Sequence, residues 1–302
     1  MTIKILGVKI NLNKKDEVLE EVRKYLVTKN KEQITKNKNR VNPLVIFTPN
    51  PEIINYAQKD SFFKQIVNSA QINIPDGAGL CLAIEKKFHL KTVRLSGTDL
   101  MMDICNLSSK NSFTIGLIGG RGDVALATRE CLLRDYPNLK IEVLEGPEII
   151  VSGIKYQVSS IRDKNIPDTK YIILNTEEKQ AERTELYFKN LVKELQDKKI
   201  DILFVALGFP KQEYFIELLR KTYIGKDTDS SDRLNRCPRD IVMMGVGGAF
   251  DYISGRVQRA PLWMKEKGLE WLYRLVNEPW RYKRQLAGMS FFWQVFLDHQ
   301  DN

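Results

Sequence analysis

The sequence predicts an α/β fold: a mainly parallel, Rossmann-like sheet with helices on both faces, plus a C-terminal helical appendage. Three observations carry this expectation. Short β-branched runs alternate with segments of helical period along most of the chain. Several of the helical segments are entered through Asp, Asn, Thr or Pro at a plausible cap. After Gly255 this rhythm gives way to a basic, aromatic texture. At 302 residues, 43% hydrophobic and 28% charged, the chain is able to bury a full core, which argues against disorder.

The expected strands are residues 3–10 (IKILGVKI), 43–48 (PLVIFT), 71–75, 113–118 (FTIGLI), 139–144 (LKIEVL), 170–174 (KYIIL), 201–207 (DILFVAL) and 240–246 (DIVMMGV). Between them the spacing predicts helices over 14–27, 51–68, 79–89, 97–109, 123–135, 178–197 and 210–222. Strand then helix, repeated, places helices on both faces of a parallel sheet. Two stretches break the pattern: 145–170 is irregular, and 223–239 is polar with Gly, Ser, Asp and Pro, which reads as a solvated loop. The domain expectation is therefore an α/β core over 1–255, with insertions near 145–170 and 223–239, and a basic helical, membrane-proximal appendage over 256–302.

Several classes of function are argued against early. Cys81, Cys105, Cys131 and Cys237 lie far apart without CxxC spacing, and two histidines make a Cys/His zinc site a poor expectation. The cysteine usage fits a reducing cytoplasm. The N-terminus lacks the pattern of a signal peptide, and no run approaches the roughly twenty apolar residues that span a bilayer. A net charge of +9 suits nucleic acid, anionic lipid or a phosphorylated substrate, so its location matters.

Four constellations compete for the chemistry. In FTPNPEI (47–53) a strand ends in Thr48 and Asn50 before Pro51 opens a helix; Asn50 reads as its cap, and Thr48 and Asn50 also offer hydrogen bonds to sugar or phosphate. GLIGGRGDVA (116–125) is a strand, a turn through Gly119 and Gly120, and a helix, a geometry that lets backbone N–H groups approach a phosphate. Its glycine spacing is not GxGxxG, so it is a weak NAD signature. VALGFPKQEYF (205–215) puts Lys211, Gln212 and Glu213 at a helix start just past a strand end, where open α/β sheets keep their ligands. Residues 244–286 carry Arg274 and Arg281 two helical turns apart and Arg284 one turn further, around Pro279; a bend there lets three guanidinium groups converge on one anion. The region 256–287 holds eight Lys/Arg against three acidic residues, which makes it the basic face of the chain. The apolar MSFFWQVFL (289–297) that follows suits a bilayer interface or packing on the body or on a partner subunit, as in a homo-oligomer.

INIPDGAGL (72–80) raises its own question, because Asp76 after a strand is either helix-capping punctuation or chemistry. The acidic pair Asp227 and Asp229 lies in the polar insert and reads as a surface loop rather than a Mg²⁺ site.

Read in order, LGVKI, TPNPEI, INIPDGAGL, RLSGTDLM (94–101), IGGRGDVA, YPNLKI (136–141), ILFVALGFPKQE, GVGGAFDYISG and RAPLWM…GLEWLYRLVNEPWR resemble the WecG/TagA/CpsF family of bacterial glycosyltransferases, from near residue 5 to about 286. The resemblance implies inverting transfer of N-acetylmannosamine or its uronate from a UDP-sugar to GlcNAc on undecaprenyl diphosphate, in cell-surface polysaccharide synthesis. It implies no cofactor and no metal, and a cytoplasmic protein peripheral on the inner face of the membrane. Residue by residue, it implies Asp76 as general base, Thr48, Asn50, Arg94 and Gln212 as pocket residues, and Arg274, Arg281 and Arg284 as diphosphate partners. The two insertions depart from the family pattern. The competing readings are an NAD-dependent oxidoreductase using residues 116–122, and a non-enzymatic basic module for nucleic acid or lipid; the glycosyltransferase reading implies no nucleic-acid partner.

Overall fold

A computed structural model describes residues 1–32, 42–150, 171–173, 178–224, 240–279 and 282–297. The chain opens with an antiparallel hairpin, β1 (Thr2–Ile5) and β2 (Val8–Asn11), turned through Leu6 and Gly7 at φ 51° and 73°. Two consecutive positive φ values are what a tight hairpin turn requires. The single strand expected over 3–10 is thus two strands, and they form a sheet of their own. Then follow α1 (Lys15–Glu32), β3 (Leu44–Phe47), α2 (Pro51–Lys59), α3 (Ser61–Ser69), β4 (Ile72–Asn73), α4 (Ala78–Phe88), α5 (Gly97–Asn111), β5 (Thr114–Gly119), α6 (Val124–Asp135) and β6 (Lys140–Leu144). The helix expected over 51–68 is divided at Asp60, whose carboxylate accepts from the Phe63 N–H at 2.9 Å and so caps the start of α3.

Next come β7 (Glu148–Ile150), β8 (Tyr171–Ile173), α7 (Glu178–Asp197), β9 (Ile202–Ala206), α8 (Lys211–Ile224) and β10 (Val242–Gly245). Among the described residues, strands β7 and β8 pair with each other and not with the main sheet. This corrects two expectations: 145–170 begins with an ordered strand, and the strand near 170–174 is not part of the main sheet. Residues 151–170 and 225–239, which hold most of the two expected insertions, Cys237, Asp227 and Asp229, lie outside the described residues. The C-terminal part is helical: α9 (Ala249–Ile253), α10 (Leu262–Glu266), α11 (Glu270–Asn277) and α12 (Tyr282–Leu297).

Among the described residues the main sheet has six strands in the order β4-β3-β10-β9-β5-β6, all parallel. Its strands are apolar on both faces because both are covered. Val45, Phe47, Leu203, Val205 and Met243 face one core with Ile53, Phe63, Phe215 and Phe291. Leu44, Ile46, Ile202, Phe204, Val242 and Met244 face the other with Val18, Leu100, Ile104 and Phe250. Alternate residues of each strand enter opposite cores, as the pleat dictates. Since every strand runs the same way, all carboxyl ends share one edge, where Thr48, Asp76, Gly119 and Gln212 all occur at or just beyond strand ends.

Helix α12 packs on α2 and α4. Phe291 and Val295 are fully buried, a contribution of about 1.5–3 kcal/mol per side chain. A second attachment is at Gly268, before α11, where an added Cβ would fall 2.5 Å from the Cβ of Ala78 at the start of α4.

Candidate active site

Asp76 is held in place by its own backbone: its N–H donates to the Pro49 carbonyl at 2.8 Å, tying the loop after β4 to the loop after β3. Its carboxylate does not cap α4. The cap position belongs to Gly77, at φ 93°, with no side-chain hydrogen bond. The carboxylate is left for other partners, and its side chain is 27% exposed. On the neighbouring loop Asn50 accepts from the Ile53 N–H at 3.0 Å and caps α2, as its position predicts. Thr48 lies against Gly97, where a Cβ would come 3.0 Å from Thr48 Oγ1. Gly97 also presents its N–H to Asp76, which brings Thr48, Asp76 and the start of α5 together.

Arg94 points at this group from the loop before α5. Its Nε lies 3.6 Å from Asp76 Oδ1, a charge contact beyond hydrogen-bond length. A terminal nitrogen of Arg94 pairs with the Glu270 carboxylate of α11, and Glu270 Oε1 lies 3.5 Å from Arg274 Nη2. The Arg274 guanidinium also covers the Tyr252 ring at 4.7 Å from its centroid. Beside these, Arg259 pairs with Asp99 at 2.7 Å and donates to Ser96 Oγ at 3.3 Å, and Lys265 approaches Asp99 at 3.9 Å. The appendage is therefore joined to the core by ion pairs gathered around Asp76.

Burial raises the Asp76 carboxyl above the usual carboxylate range; the charges of Arg94 and Arg274 oppose the rise and Glu270 adds to it. Burial alone would also raise Glu270, but the Arg94 hydrogen bond and the charges of Arg94, Arg274 and Arg259 outweigh it and hold that carboxyl low. On α4 the Cys81 thiol is pushed up to about 11, by burial and then by Asp76. A carboxylate with raised proton affinity beside cationic groups is suited to accept a proton while negative charge develops nearby.

Gln212 is buried and fully oriented. Its Oε1 accepts from the Gly247 N–H at 2.9 Å, and its Nε2 donates to Glu213 Oε1 at 3.0 Å. Gly245 leaves the room, since a Cβ there would meet Gln212 Nε2 at 3.1 Å. Glu213, expected among substrate-contacting groups, is 1% exposed and meets Gln212 instead. Burial pushes its carboxyl up to about 7, and the nearby Glu52 of α2 adds to the rise.

The glycine-rich turn has a structural role of its own. Gly119, at φ 98°, passes so close to β9 that a Cβ would fall 2.7 Å from the Ala206 carbonyl oxygen, and the Gly120 N–H is donated to that same oxygen at 2.9 Å. These glycines let two strand ends approach each other. Asp123 at the start of α6 pairs with Arg256, which also donates to the Arg121 carbonyl at 3.4 Å. The glycine conformations are thus accounted for by packing and give no particular support to an NAD site at 116–122.

Of the three expected appendage arginines, Arg274 reaches the Asp76 group through Glu270. Arg281 lies outside the described residues, and Arg284 belongs to α12 with no described side chain. Sequence reasoning missed Glu270, Asp99 and Arg259 as members of the site. Glu270 and Arg274 are spaced as an ordinary i,i+4 surface pair, and only the fold reveals that the Glu270 carboxylate is buried. Among the described residues no group of three metal-ligating side chains occurs.

The carboxyl edge of the parallel sheet thus gathers the Asp76 carboxylate with Arg94 and, through Glu270, Arg274. The chain belongs to the WecG/TagA/CpsF family of glycosyl transferases, whose family model matches residues 3–301. It is 30% identical over 243 residues, 80% of this chain and 75% of the relative, to the N-acetylglucosaminyldiphosphoundecaprenol N-acetyl-beta-D-mannosaminyltransferase of Bacillus subtilis (strain 168). It is 27% identical over 251 residues, covering 83% and 78%, to the protein of the same name from Staphylococcus aureus (strain MRSA252). Family membership makes the chain a glycosyltransferase, in place of the readings as an oxidoreductase or a non-enzymatic basic module.

Proposed function

We propose that the protein transfers N-acetylmannosamine from its UDP-sugar to the GlcNAc of undecaprenyl-diphosphate-linked GlcNAc, with inversion, and that Asp76 is the general base. The observation that carries this reading is the Asp76 carboxylate itself, excused from helix capping, raised in proton affinity and faced by Arg94 at the carboxyl edge of the sheet. The acceptor hydroxyl oxygen attacks the anomeric carbon of the donor, its proton passes to Asp76, and the bond from that carbon to the UDP oxygen breaks with its electron pair leaving on the diphosphate. Arg274, Arg281 and Arg284 offset the charge that develops there. Thr48, Asn50, Arg94 and Gln212 line the sugar and nucleotide pocket; Glu213 supports Gln212 from behind, and Gly119 and Gly120 shape the adjacent edge. No cofactor or metal has a part in this scheme. Residues 1–255 act as the catalytic core and 256–302 as the appendage that closes over it.

The reading also includes peripheral attachment to the inner face of the cell membrane. Trp263, Trp271, Val276, Trp293 and Leu297 of the basic appendage are all exposed, an arrangement of aromatic and apolar groups suited to the lipid interface that carries the acceptor. In this reading the outer side of α12 faces lipid rather than a second subunit. No helix among the described residues is long and apolar enough to cross a membrane. The test is a transfer assay with GlcNAc-diphosphate-lipid acceptor and a panel of UDP-sugars, with the product linkage read by NMR. UDP-N-acetylmannosamine giving a β-linked product is the expected result; selective use of another donor, or retention of the donor's configuration, overturns the reading.

A further inference from the structure

We propose that Glu270 is a positioning residue for the transfer: its buried carboxylate ties Arg94 of the core to Arg274 of the appendage and thereby leaves Asp76 free to act as a base. This inference rests on the role of Asp76 proposed above. Arg94 turns a terminal nitrogen to Glu270 and only its Nε toward Asp76, at 3.6 Å. That Nε is buried and has no hydrogen-bond partner among the described residues. Were Arg94 to swing fully onto Asp76, a two-pronged guanidinium–carboxylate pair would occupy the carboxylate's lone pairs and lower its proton affinity. Glu270 prevents this by being the better partner.

The burial of Glu270 argues that it has more than a surface role. An i,i+4 pair on a helix contributes only a few tenths of a kcal/mol and requires no burial, whereas Glu270 is 5% exposed. Taking a carboxylate out of water costs free energy, so a site selected for stability alone would favour an apolar side chain. The charges also balance. Asp76 and Glu270 carry two negative charges and Arg94 and Arg274 two positive, so deleting Glu270 leaves Asp76 in a cationic surround.

The groups facing Asp76 are Arg94, Arg274, Glu270, Cys81 and the Gly97 N–H. Those facing Glu270 are Arg94, Arg274 and Arg259, the last of which is already engaged by Asp99. Among the described residues, Glu270 is the one carboxylate among the charged neighbours that raise Asp76. Because it comes from α11, the basicity of Asp76 depends on the appendage being docked on the core.

The test compares wild type with Glu270→Gln and with the paired variant Glu270→Gln/Arg274→Met, which removes the ion pair together and keeps the fold if the single change does not. Two quantities are read: the acid limb of kcat/KM against pH for transfer, and the ¹³C titration of the Asp76 carboxyl, which needs no catalysis. Loss of the negative neighbour moves both to lower pH, by about one pH unit in the single variant, and release of Arg94 keeps the shift in the paired one. A folded variant whose Asp76 titrates as in wild type overturns the inference, whatever its rate. If wild type transfers no sugar from any donor, the proposed function fails while the titration still decides the role of Glu270.

Discussion

Glu213 holds a carboxyl that is nearly without solvent, and this fixes a pH dependence with a definite sign. Its folded value of about 7 lies above the ordinary 4.5, so the folded chain binds the proton more tightly than the unfolded one. Its contribution to stability is complete below about 4.5, is lost as pH rises to about 7, and is constant beyond. Chemical denaturation across that window will show the Glu213→Gln variant with a flatter profile, and on the order of 2 kcal/mol more stable than wild type at pH 8. Gly119 makes a second residue-level prediction. Its φ of 98° and the 2.7 Å approach to the Ala206 carbonyl leave no room for a methyl group, so Gly119→Ala will lower stability by about 2–4 kcal/mol in the same measurement. Residues of this kind are only partly legible in sequence. Asn50 at a strand-to-helix turn announced its capping role, whereas the local sequence left Asp76 open between cap and chemistry, and the structure gives the cap position to Gly77. Glu270 was hidden because Arg94, its principal partner, lies 176 residues away.

The elements of the main sheet were legible because strands buried on both faces have no polar side to confuse the pattern, as in ILFVA of β9, where every residue is buried. The exceptions have physical causes. Leu6 and Gly7 turn the chain within a run whose β-branched residues continue on either side, and Asp60 interrupts one helical period without changing it. Strand β8 has the composition of a central strand but among the described residues pairs with β7 alone, and pairing partners are not encoded in composition. The attachment of α11 to α4 through Gly268 predicts a separable defect. Gly268→Ala introduces a Cβ 2.5 Å from that of Ala78 at φ 71°, which will push the appendage away from the core. Thermal unfolding of the core should change little, while transfer activity falls at least about tenfold through misplacement of Glu270 and Arg274. The exposed aromatic groups make another prediction at this scale: Trp271→Ala/Trp293→Ala will reduce co-sedimentation with anionic vesicles and leave transfer to a short-chain soluble acceptor near wild type.

At the scale of the whole molecule, the parallel sheet, its two covering layers and the helical C-terminal region follow from the alternation of strand and helix patterns, and the resemblance to the glycosyltransferase family follows from nine short motifs in order. The contacts that dock the appendage on the sheet edge have no local signature: they are ion pairs between segments far apart in the chain, Arg259 with Asp99 and Glu270 with Arg94. In the proposed mechanism this docked arrangement prepares Asp76 to take a proton during sugar transfer. Asp76→Asn removes the base with almost no change in shape, and it separates catalysis from binding. Measured side by side, UDP-sugar binding by calorimetry should persist within a few fold, while the single-turnover rate of transfer falls about a thousandfold. A folded Asp76→Asn protein that transfers sugar at the wild-type rate would contradict the account.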